Sequence, residues 1–98
     1  MEYIYESNRI YAEQVDHLLL AEVTFPARDE TRVNIDHVYV DASLRGQGVA
    51  SELMLLAYND IKDKGLKIIA KCPYAIAWFK KHEKYQDIVI NVKTKRKQ

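Results

Sequence analysis

The sequence predicts a small α/β domain with a mixed sheet: an antiparallel hairpin, one strand-helix-strand crossover and a C-terminal helix. Three observations carry this. After a polar turn, Val33, Ile35, His37 and Tyr39 alternate with Arg32, Asn34, Asp36 and Val38, the two-residue period of a strand. Val49, Leu53, Leu56, Ala57 and Ile61 then recur at helical spacing, with Glu52, Asn59, Lys62 and Asp63 largely off that face. Leu66 to Lys71, LKIIAK, is apolar again, so the strands on either side of the helix must be parallel and the crossover right-handed.

Met1 to Ser7 has too few apolar residues to assign, and Asn8 to Ala12 is compatible with a short first strand. Asp16 to Phe25 reads as a strand buried on both faces at its start and on one face later, where Glu22 and Thr24 alternate with Val23 and Phe25. Pro26 ends it, and Ala27 to Thr31 is the turn of the hairpin. The helix runs from Gly48 to Lys64, with Gly65 as its stop. Pro73 opens the second helix, at a position where its missing N–H costs nothing, with Ile76, Phe79 and Trp78 toward the sheet. Ile88 to Val92 suits a last short strand, and Lys93 to Gln98 reads as a solvated basic tail.

A chain of 98 residues allows one domain, 1–98, with a single core, so any site must sit on that core. Fifteen basic against fourteen acidic residues leave it near neutral, which argues against nucleic acid or an anionic membrane as partner. One cysteine cannot form an internal disulfide, and there is no signal-like N-terminus or long apolar run. A cytoplasmic location is the expectation. No metal site is expected.

Between the alternating strand and the helix lies Val40 to Leu55, VDASLRGQGVASELML. A loop with Gly46 and Gly48 that feeds a helix is an anion site: the first helical N–H groups lack partners, and the macrodipole adds positive charge there. The glycines remove Cβ atoms that would hold a ligand's oxygens away from the backbone. Spacing then decides among phosphate ligands. A Walker loop needs Lys and Ser or Thr after the last glycine, but Val49 and Ala50 follow Gly48. The dinucleotide fingerprint is half met, because Ser51 stands at its third glycine and Lys71 lies near the expected ribose acid. Arg45, Gly48 and Ala50 do fill Gln/Arg-x-x-Gly-x-Gly/Ala.

This segment resembles the acyl-CoA loop of the GNAT superfamily of N-acetyltransferases. With Cys72-Pro73-Tyr74, the pair Trp78 and Phe79, and the run His82-Glu83-Lys84-Tyr85-Gln86-Asp87, the chain is similar to the short, single-domain YjdJ-like branch of that superfamily. The resemblance implies a minimal GNAT-like fold with acetyl-CoA or CoA as cofactor, and a small-molecule or peptide amine as acceptor. It further implies that two strands splay at the loop edge and hold the pantetheine arm. By position that role falls to Tyr39 and Val40, and the pyrophosphate to Arg45, Gly46, Gln47, Gly48, Val49 and Ala50. Arg45 either adds a guanidinium contact or is a solvated loop charge.

Many relatives carry a general-base Glu on the strand before the loop, yet no Glu lies between Thr31 and Arg45. His37 is the titratable residue on that strand suited to take an amine proton; the alternative is a histidine bonded within the sheet. Asp36 alternates to the opposite face and is not expected to orient it. Cys72 precedes a helix N-terminus, where thiolate is favoured, so it is a second catalytic candidate as acyl carrier, acid or substrate contact. Its alternative is a small buried hydrophobe. Tyr74 is a substrate-side candidate that could protonate a leaving thiolate, or it forms one packed face with Trp78. His82 is expected to serve the helix dipole, and His17 to lie on the surface. Two functions remain open: an acetyl-CoA-dependent N-acetyltransferase, and a CoA-binding module without transfer activity.

Overall fold

The computed structural model describes residues 1–93. Its strands are β1 (Ile4–Glu6), β2 (Arg9–Glu13), β3 (Leu19–Thr24), β4 (Arg32–Ile35), β5 (His37–Val40) and β6 (Lys67–Ala70). Helices α1 (Val49–Asp63) and α2 (Pro73–Lys81) follow β5 and β6 respectively, and Ala42–Leu44 and Glu83–Tyr85 form 3-10 turns. β1, β2, β3 and β5 make an antiparallel four-stranded sheet in that order, while β4 and β6 pair in parallel.

The predicted alternating strand is therefore two strands with different partners. Asp36 breaks it: its N–H donates to the Thr24 carbonyl at 3.3 Å, although His37 is the residue registered opposite Thr24. Two residues facing one is a bulge, which bends the strand and increases its twist. The Thr24 hydroxyl fixes it by donating to Asp36 Oδ1 at 2.6 Å. Before the bulge, Asn34 N–H donates to Pro26 O at 2.9 Å and Val33 bridges Ala27, so the two sheets stay joined at that end. After it they separate. The crossover strand β6 thus pairs with β4, ahead of the bulge, and not with β5.

Three other expectations change. β3 starts at Leu19, not Asp16, because residues 14–18 form a tight turn in which Gln14 N–H bonds Leu18 O and His17 takes a φ of 70°. Leu18 is consequently exposed, and the start of the strand is not buried on both faces. β1 occupies part of the unassigned N-terminus, and the strand expected from Asn8 is β2, from Arg9 to Glu13. The expected strand Ile88–Val92 is a single bridge from Val89 to Ile68. Asn91 takes over beyond it: its side-chain amide accepts from Ala70 N at 2.9 Å and donates to Ala70 O at 2.8 Å, satisfying that edge without a strand backbone. Of the expected tail, Lys93 is anchored through Nζ to the Gln86 carbonyl, and the rest lies outside the described residues.

Both helices bury their apolar stripes in one core. Val49, Leu53, Ala57 and Ile61 from α1 and Ala75, Trp78 and Phe79 from α2 cluster with Ile10, Ala21, Val23, Ile35 and Ile68 from the strands. Ile76 and Leu56 pack at its margin, partly buried. α1 ends in a Schellman arrangement: Gly65, at φ 72°, donates to Lys62 O and Leu66 to Ile61 O. Trp78 Nε1 donates to Ser51 Oγ at 2.7 Å, fixing α2 against the first turn of α1. The other face of the four-stranded sheet, with Arg9, Tyr11, Glu22, Thr24, His37 and Tyr39, carries no helix among the described residues. No described helix is long and apolar enough to cross a membrane.

Candidate active site

The bulge at Asp36 creates a gap between β5 and the end of β6. Lys71 and Cys72 both donate backbone N–H to Ile35 O, at 2.9 and 3.1 Å, before the chains part. Asp41 N–H donates to Leu20 O at 2.8 Å. By the alternation of an antiparallel ladder, Tyr39 then exchanges its bonds with Glu22, and Val38 and Val40 turn their backbone groups away from β3. Arg45 Nε reaches the Val40 carbonyl there, at 3.3 Å.

The loop beyond Val40 is built by local hydrogen bonds. Asp41 caps the turn Ala42–Leu44, accepting from Ser43 N at 3.0 Å and from Ser43 Oγ at 2.5 Å. The Ser43 hydroxyl and amide, with Tyr39 and Arg45 behind them, hold the Asp41 carboxyl below its ordinary range. Gly46 and Gly48 have φ of 82° and 77°, left-handed values that other residues adopt at a cost, and a Cβ at either would meet no atom within 4 Å. Gly48 precedes α1 without a side-chain cap, so the N–H groups of the first turn remain for a ligand. The one acidic residue of that turn, Glu52, accepts from the Tyr3 hydroxyl at 2.7 Å. Burial, and then this bond, push the Tyr3 phenol up.

These residues line a cavity of about 230 Å³: Val40 from β5, Leu44, Arg45, Gly46 and Gly48 from the loop, Val49, Ala50 and Ser51 from α1, and Tyr74 from α2. A wider groove of about 590 Å³ adjoins it, between Gln47, Ser51, Glu52 and Leu55 on one side and Trp78, His82 and Tyr85 on the other. His82 Nδ1 lies 2.8 Å from Trp78 O, and its ring stacks on Trp78 with centroids 4.3 Å apart.

Of the sequence-derived candidates, Val40, Arg45, Gly46, Gly48, Val49, Ala50 and Tyr74 meet in the cavity, and Gln47 lines the groove next to it. Tyr39 turns its backbone to β3 and its hydroxyl toward Asp41, at 3.4 Å. Burial raises the Tyr74 phenol above its ordinary range, so it is protonated at neutral pH as any phenol is. Cys72 is half-buried, caps α2 and packs against the core. His37 is the first residue past the bulge, on the helix-free face with its side chain 51% exposed. Cys72 and His37 therefore flank the vertex of the gap from opposite sides of the sheet. His17 is on the surface, as expected, beside Glu13 at 3.2 Å.

Sequence reasoning missed Glu22. Its Oε1 lies 3.2 Å from His37 Nε2, its Oε2 takes Arg9 Nε, and its side chain is only 13% exposed. Strand alternation placed Glu22 on one face, but only the β3–β5 register shows that His37 shares it. Leu44 and Ser51 were likewise missed, since nothing in their local pattern marks them. Among the described residues no three His, Cys, Asp or Glu are grouped to hold a metal ion.

A split sheet whose gap ends at a glycine loop and an uncapped helix has the features of an anion-binding site at the mouth of the gap. The family model described as GCN5-related N-acetyl-transferase matches residues 9–88, and the chain belongs to that family of N-acetyltransferases. The solution structure of a GCN5-like candidate N-acetyltransferase from Staphylococcus aureus is similar at 33% identity and a TM-score of 0.78, covering 94% of this chain and 90% of that one. A candidate phosphinothricin N-acetyltransferase shares the fold at 22% identity and a TM-score of 0.58, over 80% of this chain and 53% of that one. A ribosomal-protein-alanine N-acetyltransferase from Brucella melitensis biovar Abortus 2308 does so at 22% and 0.57, over 92% of this chain and 65% of that one. The chain thus spans between half and two thirds of the length of those two larger proteins. No curated protein sequence matches it.

Proposed function

We propose that the protein is an acetyl-CoA-dependent N-acetyltransferase acting on the amine of a small molecule or an exposed peptide. The observation that carries this reading is the cavity in which Val40, the Arg45–Ala50 loop and Tyr74 converge. The residues present fit the donor. Gly46 and Gly48 leave open backbone, the first turn of α1 offers unpaired N–H groups, and Val38 and Val40 direct backbone groups into the gap.

Bound there, acetyl-CoA supplies an acetyl group on a thiol leaving group. The loop and the first turn of α1 hold its pyrophosphate through N–H groups and the helix dipole, with Arg45 and Gln47 as side-chain contacts. Val38 and Val40 hold an amide-bearing arm as an additional strand would, and Tyr39 braces β5 against β3 from the other edge. His37 takes the proton that the acceptor amine gives up. Tyr74, a phenol that lines the cavity, donates to the departing sulfur. Cys72 lies at the acetyl end, beside the last bond that joins the two strands.

A panel of a small primary amine, a polyamine, a lysine-containing peptide and a peptide with a free N-terminus, each incubated with acetyl-CoA, tests the reading by mass spectrometry. Acetylation of at least one, dependent on the protein, is expected. CoA binding with no transfer to any of them would leave the chain a CoA-binding module.

A further inference from the structure

We propose that Glu22 is a positioning residue for His37, fixing the imidazole in the tautomer with its proton on Nε2 and so leaving Nδ1 as the proton acceptor. The inference rests on the acetyl-transfer reading above, and it assigns a role to a residue on a different strand from the loop. Four observations support it.

Glu22 and His37 sit on one face of the β3–β5 pair, with Oε1 and Nε2 3.2 Å apart. A carboxylate only accepts, so a ring nitrogen that hydrogen-bonds to it must carry the proton. Neither ring nitrogen of His37 makes a hydrogen bond among the described residues, and the half-exposed ring is free to turn about χ2 and bring Nε2 into line with Glu22 Oε1, 3.2 Å away. Glu22 is itself held: Oε2 takes Arg9 Nε, Arg9 Nη1 is 3.4 Å from Glu6 Oε1, and its guanidinium carbon lies 3.6 Å over the Tyr11 ring. The carboxylate thus stands between a fixed guanidinium and the imidazole, one oxygen for each, on a side chain mostly withdrawn from solvent. Finally, the residue it addresses is the first beyond the bulge, at the vertex where the gap begins.

In the transfer, the amine nitrogen bonds to the acetyl carbon and the carbon–sulfur bond breaks with its electron pair going to sulfur. The proton lost by the amine goes to His37 Nδ1, and the leaving thiolate takes a proton from Tyr74 or solvent. The imidazolium formed at His37 then turns its second N–H onto Glu22 Oε1, 3.2 Å away, which stabilises the charge as it appears.

Arg9 makes the test sharp. It can only donate, so in Glu22→Gln the amide oxygen turns to Arg9 and the amide NH₂ faces His37. An NH₂ facing Nε2 requires a bare nitrogen there and moves the ring proton to Nδ1. Nitrogen-15 NMR of the histidine rings, at a pH where imidazoles are neutral, should therefore show Nε2–H for His37 in the wild type and Nδ1–H in Glu22→Gln. The readout needs no acceptor and no CoA. Removing the director as well, in Arg9→Leu with Glu22→Gln, should return the proton to Nε2. With whichever panel amine is acetylated, Glu22→Gln should lower kcat about a hundredfold with CoA affinity unchanged. In a His37→Ala background the same change should have no further effect on kcat. The same tautomer in the wild type and in Glu22→Gln overturns the inference, as does a flipped tautomer with undiminished kcat. Full turnover in His37→Ala would instead remove the base assignment on which it rests, whatever the ring spectrum shows.

Discussion

His37 Nε2 and Glu22 Oε1 stand 3.2 Å apart across the β3–β5 pair, on the sheet face that carries no helix among the described residues. The strand before the loop has no glutamate of its own, and the neighbouring strand supplies one. A general base on this face can take a proton from an amine approaching through open solvent, without displacing the core beneath.

Replacing His37 by Ala should lower kcat about a hundredfold or more while CoA affinity stays within about a factor of two, because His37 does not line the loop cavity. Isothermal calorimetry and steady-state rates on one preparation separate the two quantities. A parallel loss in both would mean that His37 shapes the donor site instead.

Gly48→Val should abolish CoA binding. The residue has a φ of 77°, so a β-branched side chain costs about 1–3 kcal/mol of stability through backbone strain. A Cβ there would meet no protein atom within 4 Å and would project into the open side of the loop, where the phosphates are proposed to lie. Thermal unfolding measures the first effect and calorimetry on the folded variant the second; unchanged CoA affinity would place the phosphates elsewhere.

Cys72 should react with a mild alkylating reagent more slowly when acetyl-CoA is bound. It is half-buried at the N-terminus of α2, next to the predicted acetyl end. Cys72→Ala and Cys72→Ser would both be inactive if the thiol carries the acetyl group, and only partly impaired if it is a contact. Inertness to alkylation together with full activity of Cys72→Ala returns it to core packing.

Asp41 gives a pH signature. Its bonds to Ser43 depress the folded carboxyl below the ordinary 3.8. Their contribution to stability is complete above that value and is lost as pH falls through the depressed one. Asp41→Asn should therefore flatten the acid limb of stability against pH and change little near neutrality. Superimposable limbs from the two proteins in denaturant titrations would show that the cap contributes nothing.

The sequence made some parts of this arrangement legible and hid others for physical reasons. Gly46, Gly48 and the α1 stripe announce themselves, because a left-handed turn and a helical face each demand particular residues at fixed spacing. The bulge at Asp36 does not. It is held by a hydrogen bond from Thr24, twelve residues away, and alternation runs through it unchanged. The gap opened by that bulge was expected only through family resemblance. Glu22 was invisible as a partner of His37 because the β3–β5 register follows from the bulge at Asp36, which local pattern does not reveal. Asn91 shows the converse: an apolar run that looks like a strand needs only one bridge when a side-chain amide completes the edge.

The gap between β5 and β6, ending at the Arg45–Ala50 loop, is the proposed acyl-CoA site. Titrating CoA into nitrogen-15-labelled protein and following backbone amides tests it most directly. The account predicts saturable shifts at Val38, Val40, residues 45–51 and Tyr74, with none of that pattern from ATP or NAD. Shifts from ATP or NAD without CoA, or CoA shifts confined to residues away from the loop and the gap, would contradict it.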